Sequence, residues 1–115
     1  MNYMILIYQD PDRPGAPAGP DAATTITAPW IAYTKALVEA GILVGGSRLA
    51  PPTTATSVQI RDGKRLVQDG PCADTKEQLG GYYIITAADL DTALDWAARC
   101  PGALDGTIEV RPIVG

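Results

Sequence analysis

The stretch DGPCADTKEQLGGYY, residues 69–83, gathers seven ionisable or tyrosyl side chains around a Gly-Pro corner and a Gly-Gly pair. Asp69 is a carboxylate at a turn. Desolvated there, it would bind a cation or serve as a general base. The same Asp-Gly-Pro also suffices for a plain corner, in which Asp accepts backbone amides, Gly takes an unusual φ and Pro fixes the exit. Asp74 and Glu77 have the spacing of a capping box for a short helical turn. Lys76 and the amides of such a turn suit an anionic group. Farther on, Glu109 and Arg111 share one parity of a strand. They read as an ion pair at an interface, or as an arginine that clamps the carboxylate of a small acid. Tyr82 offers a hydroxyl to the same cavity or simply packs. The candidate set is Asp69 as a catalytic carboxylate, with Lys76, Tyr82 and Arg111 as ligand-binding groups.

Composition removes several chemistries. The chain has no histidine, so a histidine base or triad is excluded. Two cysteines, Cys72 and Cys100, stand alone without a Cys-x-x-Cys, which argues against zinc or copper. Cys72 has only Lys76 nearby to hold a thiolate and is a poor nucleophile. No Gly-x-Gly-x-x-Gly follows a strand and no phosphate loop is present, so no cofactor is expected. The net charge of −4 argues against nucleic acid and against an anionic membrane. The apolar run MILIY is too short for a signal segment or a span, so a cytoplasmic protein is expected.

The elements that must position these groups follow from pattern. A length of 115 residues fits one domain, 1–115. Residues 2–9 and 80–86 read as strands apolar on both parities. Residues 11–20, with four prolines, form a connection or a lid over a pocket. A helix follows with Trp30, Tyr33, Thr34, Leu37 and Val38 on its apolar spacing, Thr27 at its cap and Gly41 at its end. Residues 42–50 make a strand with a bulge at Gly45-Gly46. Residues 57–62 and 65–69 make a hairpin around Asp62-Gly63. Asp89 caps a second helix, 90–100, with Leu90, Ala93, Leu94 and Ala97 facing the core and Trp96 off that stripe. Residues 106–114 form the last strand.

This order gives an α+β fold, a ferredoxin-like split βαβ with an extra β-hairpin. Two helices cover one face of the sheet. The strands apolar on both parities need cover on the other face, and a second copy packed sheet to sheet supplies it. A homodimer of that kind would bury the Glu109 and Arg111 parity, where polar groups need partners or a ligand.

The segments DGPCADTKEQLGGYYII, ADLDTALDWAARCPGA and GTIEVRPI closely resemble the YCII-related family, in the branch named for its D-G-P-F motif. The resemblance spans nearly the whole chain and implies a ferredoxin-like domain that pairs into a dimeric α/β barrel. Two departures stand out. Cys72 replaces the motif's phenylalanine, and Asp74 replaces its usual glutamate. The wider family's proposed acid–base couple is a His-Asp pair; Asp69 would be the matching acid, without its histidine. Related dimeric barrels include lactone isomerases, dehalogenases and cofactor-free monooxygenases. The expectation is a protein that binds, and in one version transforms, a small anionic molecule in an inter-subunit cleft. The alternative is a regulatory or interaction protein, since some members of the branch resemble accessories of extracytoplasmic-function sigma factors.

Overall fold

The computed structural model describes residues 1–17, 19, 21 and 25–115. Residues 18 and 20 of the proline-rich connection lie outside the described residues. Strands β1 (Asn2–Gln9), β2 (Leu43–Arg48), β5 (Gln78–Thr86) and β6 (Gly106–Pro112) form one antiparallel sheet in the order β2-β5-β1-β6. Strands β3 (Thr56–Arg61) and β4 (Lys64–Asp69) form a separate two-stranded sheet. Helices α1 (Ala28–Glu39) and α2 (Leu90–Ala98) join the strands of the main sheet, and a short α3 (Gly102–Asp105) leads into β6. With the hairpin set aside, the strand order is consistent with the expected ferredoxin-like plan.

Alternation along β1 divides the two faces. Tyr3, Ile5 and Ile7 are at most 6% exposed, and they pack with Tyr33 and Leu37 of α1, Ala93 of α2, Ile85 and Cys100. Met4, Leu6 and Tyr8 point to the other face and are half-buried. Directly opposed residues share a face, so Ile84 and Tyr82 join this open face through Met4 and Leu6.

Local signals explain the element ends. Gly41 has φ 71, which admits glycine freely. Its amide donates to Val38 and that of Ile42 to Leu37, a Schellman closure of α1. The α2 cap is equally direct. Asp89 Oδ1 accepts from the Thr92 amide at 2.8 Å and the Thr92 hydroxyl at 2.7 Å, and these bonds hold its carboxyl below the usual range. In the hairpin, Asp62 (φ 51) and Gly63 (φ 74) both take positive φ, as a two-residue type I′ turn requires. In β2, Leu43 opposes Ile85 while Gly45 opposes Ile84, so the expected bulge is present one residue early, at Val44.

Four expectations are corrected. Residues 74–77 are irregular, with bends at Lys76 and Glu77 and no helical turn, so Asp74 and Glu77 are not a capping box. Gln78 takes over there: its Nε2 donates to the carbonyls of Ala73 and Thr75 and leads the chain into β5. On α2, Leu90 and Leu94 are 47% and 45% exposed, while Ala93 and Ala97 are buried. The small side chains bring the helix close to the sheet, and Trp96, expected off the stripe, packs against the core from the side. Thr27 occupies the α1 cap position without a side-chain cap bond. Val38 is 58% exposed, because the inward face of α1 is set by Tyr33 and Leu37.

Candidate functional site

The four expected site residues are not assembled in one place. Asp69 ends β4 opposite Thr56, on the hairpin. The adjoining corner is as expected: Gly70 takes φ 101 and donates its amide to Ala55 at 2.7 Å. Lys76 is exposed and lies 4.0 Å from Asp10. Arg111 pairs with Glu109 at 2.5 Å on the open face of β6. Tyr82 shares that face and is separated from Glu109 by Leu6. Parity reasoning therefore puts Tyr82, Glu109 and Arg111 on one surface, and leaves Asp69 and Lys76 elsewhere.

A cleft lies on the opposite, helix-bearing side of the sheet. It holds about 750 Å3, within the range of small-molecule sites. Its floor is Ile7 of β1 with Gly80 and Gly81 of β5. Trp30 and Thr34 of α1 form one wall, and residues 11–17 with Leu104 and Asp105 form another. Arg48 to Pro52 make the rim. Tyr83 closes the back, and Tyr82 is also among the lining residues. Sequence reasoning missed Arg13, Arg48, Trp30 and Thr34 as site groups. They belong to no motif, and only the sheet register and the return of the proline-rich connection bring them together.

The proline-rich connection is held down by charge. Asp105 accepts from Gln9 Nε2 at 2.7 Å and from Arg13 Nε at 3.0 Å. Arg13 Nη1 also donates to the Asp10 carbonyl at 3.2 Å. This fixes the first turn of the connection over the cleft. Arg13 is thereby paired with Asp105, and Arg48 is the other arginine among the described lining residues. Arg48 is itself oriented by a hydrogen bond to the Thr25 carbonyl, just before α1.

The back wall carries oriented hydroxyls. Tyr83 and Thr34 hydroxyls are 2.7 Å apart. Tyr33 stands edge-on to Tyr83, with centroids 5.6 Å apart and planes at 76°, the favoured aromatic geometry. Tyr33 donates its own hydroxyl to the Trp96 carbonyl at 2.7 Å. Burial raises the pKa of Tyr83, against a smaller lowering by the Thr34 hydroxyl. At neutral pH Tyr83 is thus a protonated phenol, able to donate to an oxygen in the cleft. Burial raises Tyr33 as well, and pushes the Cys100 thiol from 9.0 to about 11.

These three shifts predict an alkaline limit. Each folded pKa lies above the unfolded value, so the unfolded chain binds fewer protons and stability falls with rising pH. The contribution is complete below pH 9 and is lost for Cys100 as pH climbs through about 11. Thermal melts should drop steeply across that window. Cys100→Ala should flatten part of the drop, and an unchanged profile would remove Cys100 as a cause.

A sequence profile of the YCII-related domain matches residues 1–115. The chain belongs to the YCII-related family. This YCII-related domain is 38% identical over 115 residues to the uncharacterised protein R00369 of Rhizobium meliloti (strain 1021), covering 98% of this chain and 92% of that one. It also resembles a solved structure, the 5-chloro-2-hydroxyhydroquinone dehydrochlorinase TftG from Burkholderia phenoliruptrix AC1100 in complex with 2,5-dihydroxybenzoquinone. There the identity is 17% and the TM-score 0.52, with 99% of this chain and 94% of that one covered. That likeness is one of fold. No helix among the described residues is long and apolar enough to cross a membrane.

Proposed function

We propose that this YCII-related domain binds a small anionic, oxygen-bearing molecule in the cleft between α1, the 11–17 segment and the sheet. The observation that carries the reading is the cleft's charge and chemistry. Arg13, Arg48 and Asp105 are among its described lining residues, and the Tyr83–Thr34 hydroxyl pair stands at its back. An arginine held by its own backbone contact loses little entropy on meeting a carboxylate. The likeness to a dehydrochlorinase holding a dihydroxybenzoquinone supports a small oxygen-bearing ligand for this fold. It does not name a reaction, since function resides in a site and not in a fold.

Arg48→Met tests the reading. Native mass spectrometry of the protein taken directly from cells should show a bound small molecule on the wild type. The variant should lose it, with affinity down about tenfold or more, as expected when a charged hydrogen bond is removed. A ligand retained equally by both would place binding elsewhere.

In this proposal the protein works as a homodimer whose open sheet faces pack together into a barrel. The half-buried Met4, Leu6, Tyr8 and Ile84 and the 56% exposed Val44 favour such cover. Of the expected inter-subunit set, Tyr82 and Arg111 would then remain, beside Glu109, without Asp69 and Lys76.

One observation favours a second reading, as an interaction protein. The β3–β4 hairpin exposes Val58, Ile60, Leu66 and Val67 by 49–59%. The radius of gyration, 15.8 Å, exceeds the roughly 13 Å of a compact chain this long. A protein captured from the native cell through the hairpin, and lost on Val58→Asp without loss of the cleft ligand, would support it.

A further inference from the structure

Resting on the homodimer reading above, we infer that the β3–β4 hairpin pairs edge to edge with the hairpin of a second copy, β4 against β4, into one four-stranded sheet. A lone two-stranded hairpin is marginal in water. This one is a sheet separate from the main one, and every residue of β4 is exposed. Antiparallel pairing alternates between residues bonded inward and residues facing out. Gly70 donates its amide to the Ala55 carbonyl, and the two-residue turn joins Arg61 to Lys64, so positions 64, 66, 68 and 70 bond to the β3 side. The backbone groups of Arg65, Val67 and Asp69 therefore face outward, and among the described residues no strand lies beside them. The β3 edge is different. By the same alternation the Ile60 carbonyl faces out there, and Arg61 Nη1 occupies it, donating at 2.9 Å.

The side chains select a second copy and its register. Arg65 and Asp69 lie on one face of β4 with Val67 midway between them. Neither has an ion-pair partner among the described residues. An antiparallel copy centred on Val67 sets Arg65 opposite the partner's Asp69, twice by symmetry, and opposite charges directly across a ladder stabilise it. Slipping the partner by two residues either way separates the charges. A parallel, tip-to-tip arrangement sets Lys64 and Arg65 against like charges. In the centred register all three outward residues pair, and Val58 and Val67 of both copies form one row across four strands. Such an edge is small for an interface, so in the homodimer it shares the two-fold axis of the packed sheets and does not replace them.

Cysteine trapping reads the register. In a hydrogen-bonded antiparallel pair the Cα atoms are about 5.5 Å apart, a span that a disulfide bridges. Cys72, the exposed thiol, is first replaced by serine. In that background Val67→Cys is expected to give a covalent dimer under copper-phenanthroline oxidation. Lys64→Cys is expected to stay single, because the centred register puts that position opposite Gly70 and far from its own counterpart. Adding Arg65→Asp to Val67→Cys should slow linking about tenfold, as two exposed ion pairs become like-charged. Adding Asp69→Arg as well should restore it. If Val67→Cys does not link while sedimentation shows a dimer, the hairpin pairing is overturned and the packed sheets stand. No link together with a monomer mass overturns both. Lys64→Cys linking as fast as Val67→Cys would reveal random collision or tip-to-tip contact and overturns the inference. Linking that ignores both charge changes overturns it as well, by removing the contact that sets the register.

Discussion

Leu37→Ala is expected to cost about 2–5 kcal/mol of unfolding free energy, whereas Leu94→Ala should cost well under half as much. Leu37 is fully buried, in the cluster with Tyr3, Ile5, Tyr33 and Ile85. Truncating it removes transfer free energy and leaves a cavity that rigid strands on one side and α1 on the other cannot fill. Against a total stability of roughly 5–15 kcal/mol, the loss is a large fraction. Leu94 is 45% exposed and its removal opens the surface instead of a cavity. Urea denaturation of the two variants gives the comparison, through the midpoint at constant slope. Equal losses would mean that Leu94 is buried in solution, most simply under a partner chain.

That contrast also shows what the sequence made legible. Signals confined to a few neighbouring residues were readable: Gly41 at a helix end, Asp89 three residues before the amide and hydroxyl it accepts, and Asp62-Gly63 between two short strands. The split βαβ order followed from these and from the apolar runs. The α2 face was misread because a helix of nine residues carries alanines and leucines on adjacent stripes. Periodicity alone does not say that the small residues face inward. Asp74 and Glu77 had capping-box spacing, but Glu77 accepts from Thr107 of β6 at 2.7 Å, a partner thirty residues away. The cleft was the least legible part. Arg13, Trp30, Arg48 and Tyr83 come from four separate segments, and their meeting depends on which strand pairs with which. The two Gly-Gly pairs, too slight to suggest a phosphate loop, turn out to lie on neighbouring strands. There Gly46 makes room for the Tyr82 carbonyl and the Tyr83 ring, and Gly81 makes room for the Ser47 carbonyl of β2.

Leu6→Lys is expected to convert a dimer into a monomer that keeps its fold. Leu6 sits mid-strand on the open face, between Tyr82 and Glu109 on the adjoining strands. In a free monomer that position meets water, so an ammonium there costs the fold little. Packed sheet to sheet, the same ammonium would be buried, and the two-fold would bring a second one into the same interface. Glu109 is already engaged with Arg111 at 2.5 Å and compensates poorly. An uncompensated buried charge costs about 3–5 kcal/mol, which weakens self-association at least a hundredfold. Sedimentation equilibrium should give twice the chain mass for the wild type and the chain mass for the variant, with matching circular dichroism. A wild-type monomer would remove the barrel outright, yet it would leave the helix-side cleft untouched, since every group that lines it comes from one chain. A variant that stays dimeric would shift the interface to the exposed β3–β4 hairpin. Its Val58 and Val67 face one another across the strands and have no other cover.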